Sequence, residues 1–137
     1  MNTVNINDEE YSNSKEYQDY LKSNPSRGFL KIRAYAASQA IPISGMKVVV
    51  TKQIGNNNVI FFEGYTNESG IIEKISLPAP RLDPNNLDVP KSTSYDVTAT
   101  YLPDNASGIY KVNMYENIYV VQNIGIVPNM NFEAGGM

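Results

Sequence analysis

The most constraining part of the sequence is residues 43–80, where short alternating strands follow one another across tight polar turns. Residues 46–53 alternate apolar and polar side chains, the period-2 pattern of a half-buried strand. Residues 55–58, Gly-Asn-Asn-Asn, tolerate positive φ and let the chain reverse. Residues 59–66 return as an aromatic strand, and residues 67–70 turn it again. These patterns indicate a β scaffold more strongly than they indicate an activity.

The rest of the chain extends this pattern. Residues 28–36 place Leu30, Ile32, Ala34 and Ala36 on one predicted core face. Further strands are predicted over residues 71–77, 94–101, 109–115 and 117–127, and in the first of these Glu73 shares the apolar face of Ile71, Ile75 and Leu77. About seven short strands at a spacing of about 8–12 residues predict a single all-β Greek-key sandwich of the prealbumin or immunoglobulin type.

Composition divides the chain into an N-terminal arm (1–27), the β-sandwich domain (28–128) and a C-terminal tail (129–137). Within the arm, Val4 and Ile6 lie on one side of a predicted strand that can add to a sheet edge. Ser14 is a predicted N-cap for a short helix over residues 15–23, in which Tyr17, Tyr20 and Leu21 form one apolar stripe. A helix this short needs a surface to pack on.

The residue types argue against catalysis. The chain has no Cys and no His, which removes thiolate nucleophiles, the usual general base and the commonest zinc ligand. Glu63, Glu68 and Glu73 are the candidates for the acid pair of a glycoside hydrolase, but Glu68 lies in a turn and no pattern marks a cleft. We therefore expect no enzyme activity and no cofactor.

Charge and hydropathy limit the partners. Eleven Lys and Arg against fourteen Asp and Glu give a net charge of −3, with no basic cluster along the sequence. We expect no binding to nucleic acid. The apolar runs are too short for a membrane-spanning helix, and the first residues lack the pattern of a secretory signal. We therefore expect synthesis in the cytoplasm without a signal peptide.

Four segments carry a family resemblance: the opening strand 28–32, the PI-x-G-x-x-V pattern in 41–48, the turn 66–70 and the strand 95–99. Together they resemble the prealbumin-like β-sandwich family, which includes carboxypeptidase regulatory-like domains and Cna-type surface repeats. The sequence Ile-Ser-Leu-Pro-Ala-Pro is followed by a proline-rich loop and then by Tyr-Asp-Val. This order is similar to that of the non-catalytic amino-terminal module of spore cortex-lytic enzymes. The resemblance implies a spore or cell-envelope part, located finally on the spore surface or outside the cell after lysis.

Two further groups of residues resemble known functional sites. Residues 83–88 crowd carboxylate and amide oxygens, but position six is not Gly and position twelve is Ser94, so a turn is predicted and no metal site. The Cna-type resemblance suggests an isopeptide cross-link between Lys31 and Asn123 beside Glu73. Against it, Lys31 lies opposite the predicted core face, so an ordinary surface Lys and a hydrogen-bonded Glu are the simpler interpretation.

The sequence thus predicts a non-enzymatic structural subunit that self-assembles into a fibre or surface layer by strand addition of its arm. The predicted assembly interface consists of Val4, Ile6, Tyr17, Tyr20, Leu21 and Phe132. An arm that folds back on its own sheet is the open alternative. The alternative function is an envelope glycan (peptidoglycan)-binding module of a spore-lytic or phage tail complex, with residues 84–95 as the recognition loop.

Overall fold

Nine strands and two short helices form the computed structural model, which describes residues 2–36, 41–86, 88 and 90–126. In chain order they are β1 (Asn2–Asn5), α1 (Glu9–Ser12), α2 (Lys15–Ser23), β2 (Ser26–Ala36), β3 (Ile41–Pro42), β4 (Lys47–Ile54), β5 (Asn57–Tyr65), β6 (Ile71–Ala79), β7 (Thr93–Tyr101), β8 (Ala106–Met114) and β9 (Tyr119–Ile126). Neither helix has the length and apolar character needed to cross a membrane.

The strands form two packed sheets. The first has the order β1-β5-β4-β7-β8. The second is built on β2, which pairs antiparallel with β6 and β3 on one edge and parallel with β9 on the other. The predicted all-β sandwich with a short N-terminal helix is confirmed. The nine strands exceed the predicted seven or so because the arm adds β1 and the two-residue β3 was not foreseen.

The core lies where the alternating apolar faces of the two sheets meet. Leu30, Ile32 and Ala34 of β2 are buried, as predicted from their period-2 spacing. The other fully buried large side chains come mainly from β4, β5, β6, β7 and β8: Met46, Val48, Val50, Val59, Leu77, Tyr95, Val97 and Met114.

Two β-bulges overturn face assignments made by simple alternation. Opposite β2, Leu30 pairs with Ile75 but Ile32 pairs with Ile72, so β6 carries one extra residue between them. Glu73 consequently turns to solvent with 71% of its side chain exposed, and its predicted place on the apolar face is wrong. A second register shift, between β4 and β5, buries Phe61 while Glu63 and Tyr65, two and four residues on, face outward.

The arm packs on the sandwich of its own chain. Strand β1 pairs in parallel with β5, and the backbone N–H of Ile6 continues the ladder by donating to the Ile60 carbonyl at 3.1 Å. Ser14 caps α2 as predicted, its hydroxyl accepting from the backbone N–H of Tyr17 at 3.2 Å. The strand expected to seek a neighbour's sheet edge is thus already paired within its own chain.

Candidate functional site

The sandwich has two lateral openings between its sheets, and they differ in whether another element covers them. We call the opening between β5 and β6 the closed side, because the arm covers it. We call the opening between β8 and β9 the open side, because no described element covers it. These two sides are the candidate sites for interaction, and five of the six predicted interface residues lie at the first.

An aromatic cluster fills the closed side. Tyr17 lies 5.6 Å from Tyr11 and 6.1 Å from Phe61 between ring centroids, and Phe61 lies 5.7 Å from Tyr20. Phe61 also meets Tyr95 edge-on at 5.2 Å. Such tilted and edge-on pairs are the favoured aromatic geometries. The helix α2 is therefore fixed by the same rings that complete the core.

A chain of hydroxyl groups runs through this cluster. The Tyr20 hydroxyl donates to that of Tyr95 at 2.8 Å, and Tyr95 donates to the Pro78 carbonyl of β6 at 2.5 Å. Burial raises the pKa of Tyr20 to about 12 and raises that of Tyr95 further. Both side chains are therefore neutral hydrogen-bond donors at physiological pH, which suits a structural role and not that of a base or nucleophile.

Glu16 connects α2 to the β4–β5 hairpin. Its carboxylate accepts from the Asn57 side-chain amide at 2.8 Å and from the Tyr11 hydroxyl at 2.7 Å. These bonds, that from Asn57 foremost, hold the pKa of Glu16 below its usual value. The hairpin backbone comes so close that a Cβ on Gly55 would lie 2.4 Å from a carboxylate oxygen of Glu16. The positive φ of 58° at Gly55 likewise favours glycine there.

The structure brings five of the six predicted interface residues to the closed side. Tyr17 is buried there, and Val4, Ile6, Tyr20 and Leu21 are half-buried against the core of the same chain. The sixth, Phe132, lies outside the described residues. Contact of these side chains with another copy stays a prediction.

The open side contains a cleft of about 380 Å³, and the sequence of β8 explains it. Core-facing positions of β8 carry the small Ala106 and Gly108 near its start and the larger Tyr110, Val112 and Met114 toward its end. At the large end Met114 packs against Gly28 and the sheets close. At the small end the sheets stay apart, and Met46, Ala99, Ile124 and Ile126 line the gap.

Both strands that border the cleft have a free edge. Within the described ranges β8 pairs only with β7, and β9 pairs only with β2. Strand β9, YVVQNIGI, contains no charged residue and no proline, which are the usual means of blunting an edge. On β8, Ile109 is 72% exposed. These features were not singled out by sequence reasoning, although the absence of charge in β9 was visible there.

The other predicted sites can be placed as well. The Asp83 carboxylate accepts from the backbone N–H of Asn85 at 2.9 Å, the predicted turn. In the part of the chain that the structure describes, no three acidic residues converge as a metal site would require. Glu63 pairs with Lys47 on the first sheet and Glu73 with Lys31 on the second, so the two carboxylates do not form a pair.

The described residues do not have the geometry that an isopeptide cross-link or a glycan-binding loop at residues 84–95 requires. Lys31 and Glu73 meet at 3.6 Å on the outer face of the second sheet, where no buried carboxylate is available to promote a cross-link. Asn123 lies on that face too, but its side chain accepts from Arg33 at 3.3 Å. In the 84–95 loop, Tyr95 is only 1% exposed, so its ring cannot stack on a glycan.

Comparison with known proteins identifies the architecture. No protein-family model matches the sequence, and no curated protein is similar to it by sequence. Among the solved structures that match is 5-hydroxyisourate hydrolase from Klebsiella pneumoniae, with a TM-score of 0.51 and 15% identity over 74% of this chain and 85% of that one. The chain has a prealbumin-like fold. At this identity the likeness extends to the sandwich and not to the activity of the hydrolase.

Proposed function

We propose that this prealbumin-like sandwich is a non-catalytic structural subunit that self-associates through its open side. The observation that supports the proposal is the pair of free edges, β8 and β9, on either side of an unfilled cleft. Proteins with long free edges normally cover, charge or shorten them, because a free edge pairs with other chains. This chain covers its β5 edge with β1 and leaves β8 and β9 uncovered by any described strand.

Strand pairing at β8 would also use the cleft. A strand that adds to β8 alternates its side chains between the outer face and the core. Its inward side chains would enter the space above Ala106 and Gly108, where β8 itself provides almost no volume. Backbone bonds would then give the contact its strength, and the side chains that line the cleft would set its register.

A non-catalytic role rests on the residue types as well as on the sites. The buried ionisable groups of the closed side are tyrosines with raised pKa values, and the chain contains neither His nor Cys to act as base or nucleophile. The hydrolase that shares the fold is no guide to activity at 15% identity. A spore-surface or envelope location stays a prediction from the sequence resemblance.

The arm provides a second route to assembly, in which β1 of one copy pairs with β5 of another. The contacts at the end of α2 argue against exchange of the whole arm. The Asn24 side chain is fixed by donating to the Tyr20 carbonyl at 3.0 Å and by accepting from the Thr93 hydroxyl. We therefore assign the arm to closure of its own sandwich and the open side to association.

Light scattering on dilution tests the proposal. We expect a mass above the 15.2 kDa of the single chain at high concentration, decreasing on dilution. Ile109→Lys places a charge on the free β8 edge, and Gly108→Val fills the cleft, since a Cβ there lies 3.4 Å from the Tyr110 ring in ordinary contact. Both variants should be monomeric with unchanged unfolding.

The matched control is Tyr65→Lys, which changes an exposed side chain at the far end of the same sheet and should still associate. A wild-type protein that is monomeric at every concentration would rule out association. If Ile6→Asp instead gives monomers while Ile109→Lys still assembles, the arm and not the open side carries the contact.

A further inference from the structure

The outer face of the second sheet carries an uneven distribution of charge. We call it the basic face and define it by the outward side chains of β2, β6 and β9. Four of the eleven cationic residues of the chain lie there: Arg27, Lys31, Arg33 and Lys74. Glu73 is the one acidic side chain paired with any of them among the described residues. The basic face is therefore positive on a protein whose net charge is −3.

Aromatic rings lie between these cations. Phe29 and Tyr119 stack at 5.0 Å between centroids with an angle of 30°, and the Lys74 ammonium lies 4.6 Å from the Phe29 ring centre. Tyr119 belongs to the free-edged strand β9 and is 58% exposed. Because Phe29 covers one side of the Tyr119 ring, the exposed area includes its other side. The sheet thus offers a flat aromatic surface bordered by positive charge.

The two arginines are held in place by neutral partners. Arg27 donates to the hydroxyl and the carbonyl of Ser76, both at 2.9 Å, and Arg33 donates to the Asn123 side chain at 3.3 Å. A guanidinium has five N–H donors in a fixed plane, so each arginine keeps donors free for a carboxylate. Their charges stay uncompensated, because these partners are neutral. Pre-positioned donors lower the ordering cost of binding.

We propose that the basic face binds an extended acidic polysaccharide. The C–H face of one of its sugar rings would stack on the open side of the Tyr119 ring, and its carboxylates would pair with Arg33, Lys31 and Arg27. The three cations alternate along β2, and outward side chains recur about every 6.7 Å, so the row from Arg27 to Arg33 spans about 20 Å. A row of this length fits an oligosaccharide and not a single sugar.

A nucleic acid is the competing occupant, because aromatic and basic side chains on a sheet also bind single strands. One observation favours the polysaccharide. Single-strand binding uses a series of aromatic rings on which successive bases stack, whereas the stacked pair Phe29–Tyr119 presents one open ring side. The proposal uses outward side chains only, so it does not depend on association through the open side.

Titration calorimetry with polygalacturonate tests this assignment. We expect wild-type protein to bind at low salt, more weakly as salt is added, with affinity increasing with oligomer length. The double variant Lys31→Gln/Arg33→Gln should bind at least tenfold more weakly. Tyr119→Ala should show a similar loss, and Tyr119→Phe, which keeps the ring, should bind like the wild type.

The matched controls lie on the outer face of the other sheet. Tyr65→Ala and Lys47→Gln change an exposed tyrosine and lysine there, and both should bind polygalacturonate like the wild type. Urea unfolding verifies that every variant is folded. No binding by the wild type, equal losses in the control variants, or tighter binding of oligothymidylate than of polygalacturonate of equal length would each overturn the proposal.

Discussion

The closed and open sides of the sandwich each have a strand edge and a gap between the two sheets, but the described chain covers these only on the closed side. On the closed side the chain uses its first 25 or so residues to pair the β5 edge and to seal the gap with tyrosine rings. On the open side two strands of eight and nine residues end the sheets with no described partner, and a cleft lies between them. One edge is completed within the chain, and the other is available to a partner.

On the proposed function, the closed side contributes to stability and the open side to association. Rings that pack on both sheets make the arm part of the core, so changes there should act mainly on folding. Side chains at the open side border empty space and solvent, so changes there should act mainly on association. The predictions below test this division, beginning with the change expected to cost most.

Removing a ring from the closed side should give the largest loss of stability. Tyr95→Ala deletes a buried ring and the hydroxyl that connects Tyr20 to the Pro78 carbonyl. We expect the free energy of unfolding to decrease by about 3–5 kcal/mol. Urea unfolding followed by circular dichroism measures the change. Tyr65→Ala, at an exposed position, should remain within about 0.5 kcal/mol of wild type.

A matched pair of glycine substitutions compares the two ends of β8: Gly28 of β2 packs against its Met114 end, and Gly108 lies near its other end. A Cβ on Gly28 would lie 2.6 Å from the backbone oxygen of Tyr115, so Gly28→Ala should cost about 1–3 kcal/mol of unfolding free energy. At the open end, a Cβ on Gly108 meets only the Tyr110 ring at 3.4 Å. Gly108→Ala should therefore be neutral or slightly stabilising. Equal costs in urea unfolding would show that the sheets are equally tight at both ends.

Simple alternation predicted much of the fold because most strands have one buried face. The face of Leu30, Ile32 and Ala34 and the Ser14 cap follow from local patterns. Alternation failed at Glu73 and beyond Phe61, where a bulge adds one residue and inverts every later side chain. A bulge depends on pairing between strands, so nothing in a single strand's sequence discloses it.

The candidate sites were less predictable, because they depend on which strands become neighbours. Arg27, Lys31 and Arg33 share the outward side of β2 with Phe29 and are joined by Lys74 from β6, so no basic cluster shows in the sequence. The free edges follow from the strand order, which local patterns do not determine. In the arm, a strand and a helix over residues 15–23 were predicted, α1 was not, and the pairing of β1 with β5 of its own chain depends on tertiary contacts.

A smaller effect is expected from the arm strand. Ile6 is half-buried against the core, so Ile6→Asp should lower the unfolding free energy by about 1 kcal/mol. Asn5→Asp is the control, because its side-chain oxygen accepts from the backbone N–H of Asn7 at 2.8 Å and a carboxylate can do the same. Urea unfolding of monomeric protein should separate the two variants. Equal losses would show that β1 has no buried face.

The last effect concerns alkaline pH. Burial raises the pKa of Tyr20 to about 12 in the folded state, against about 10 for an unfolded tyrosine. Because the folded pKa is the higher one, the stabilisation is fully present below pH 10 and is lost as pH rises from about 10 to about 12. Urea unfolding across this interval should therefore show a declining free energy. Tyr20→Phe removes one ionising group from the closed side and should make the decline shallower. A decline of the same slope in Tyr20→Phe would show that Tyr20 does not contribute to the decline. Water would then reach the Tyr20 hydroxyl more readily than the packing of the closed side indicates.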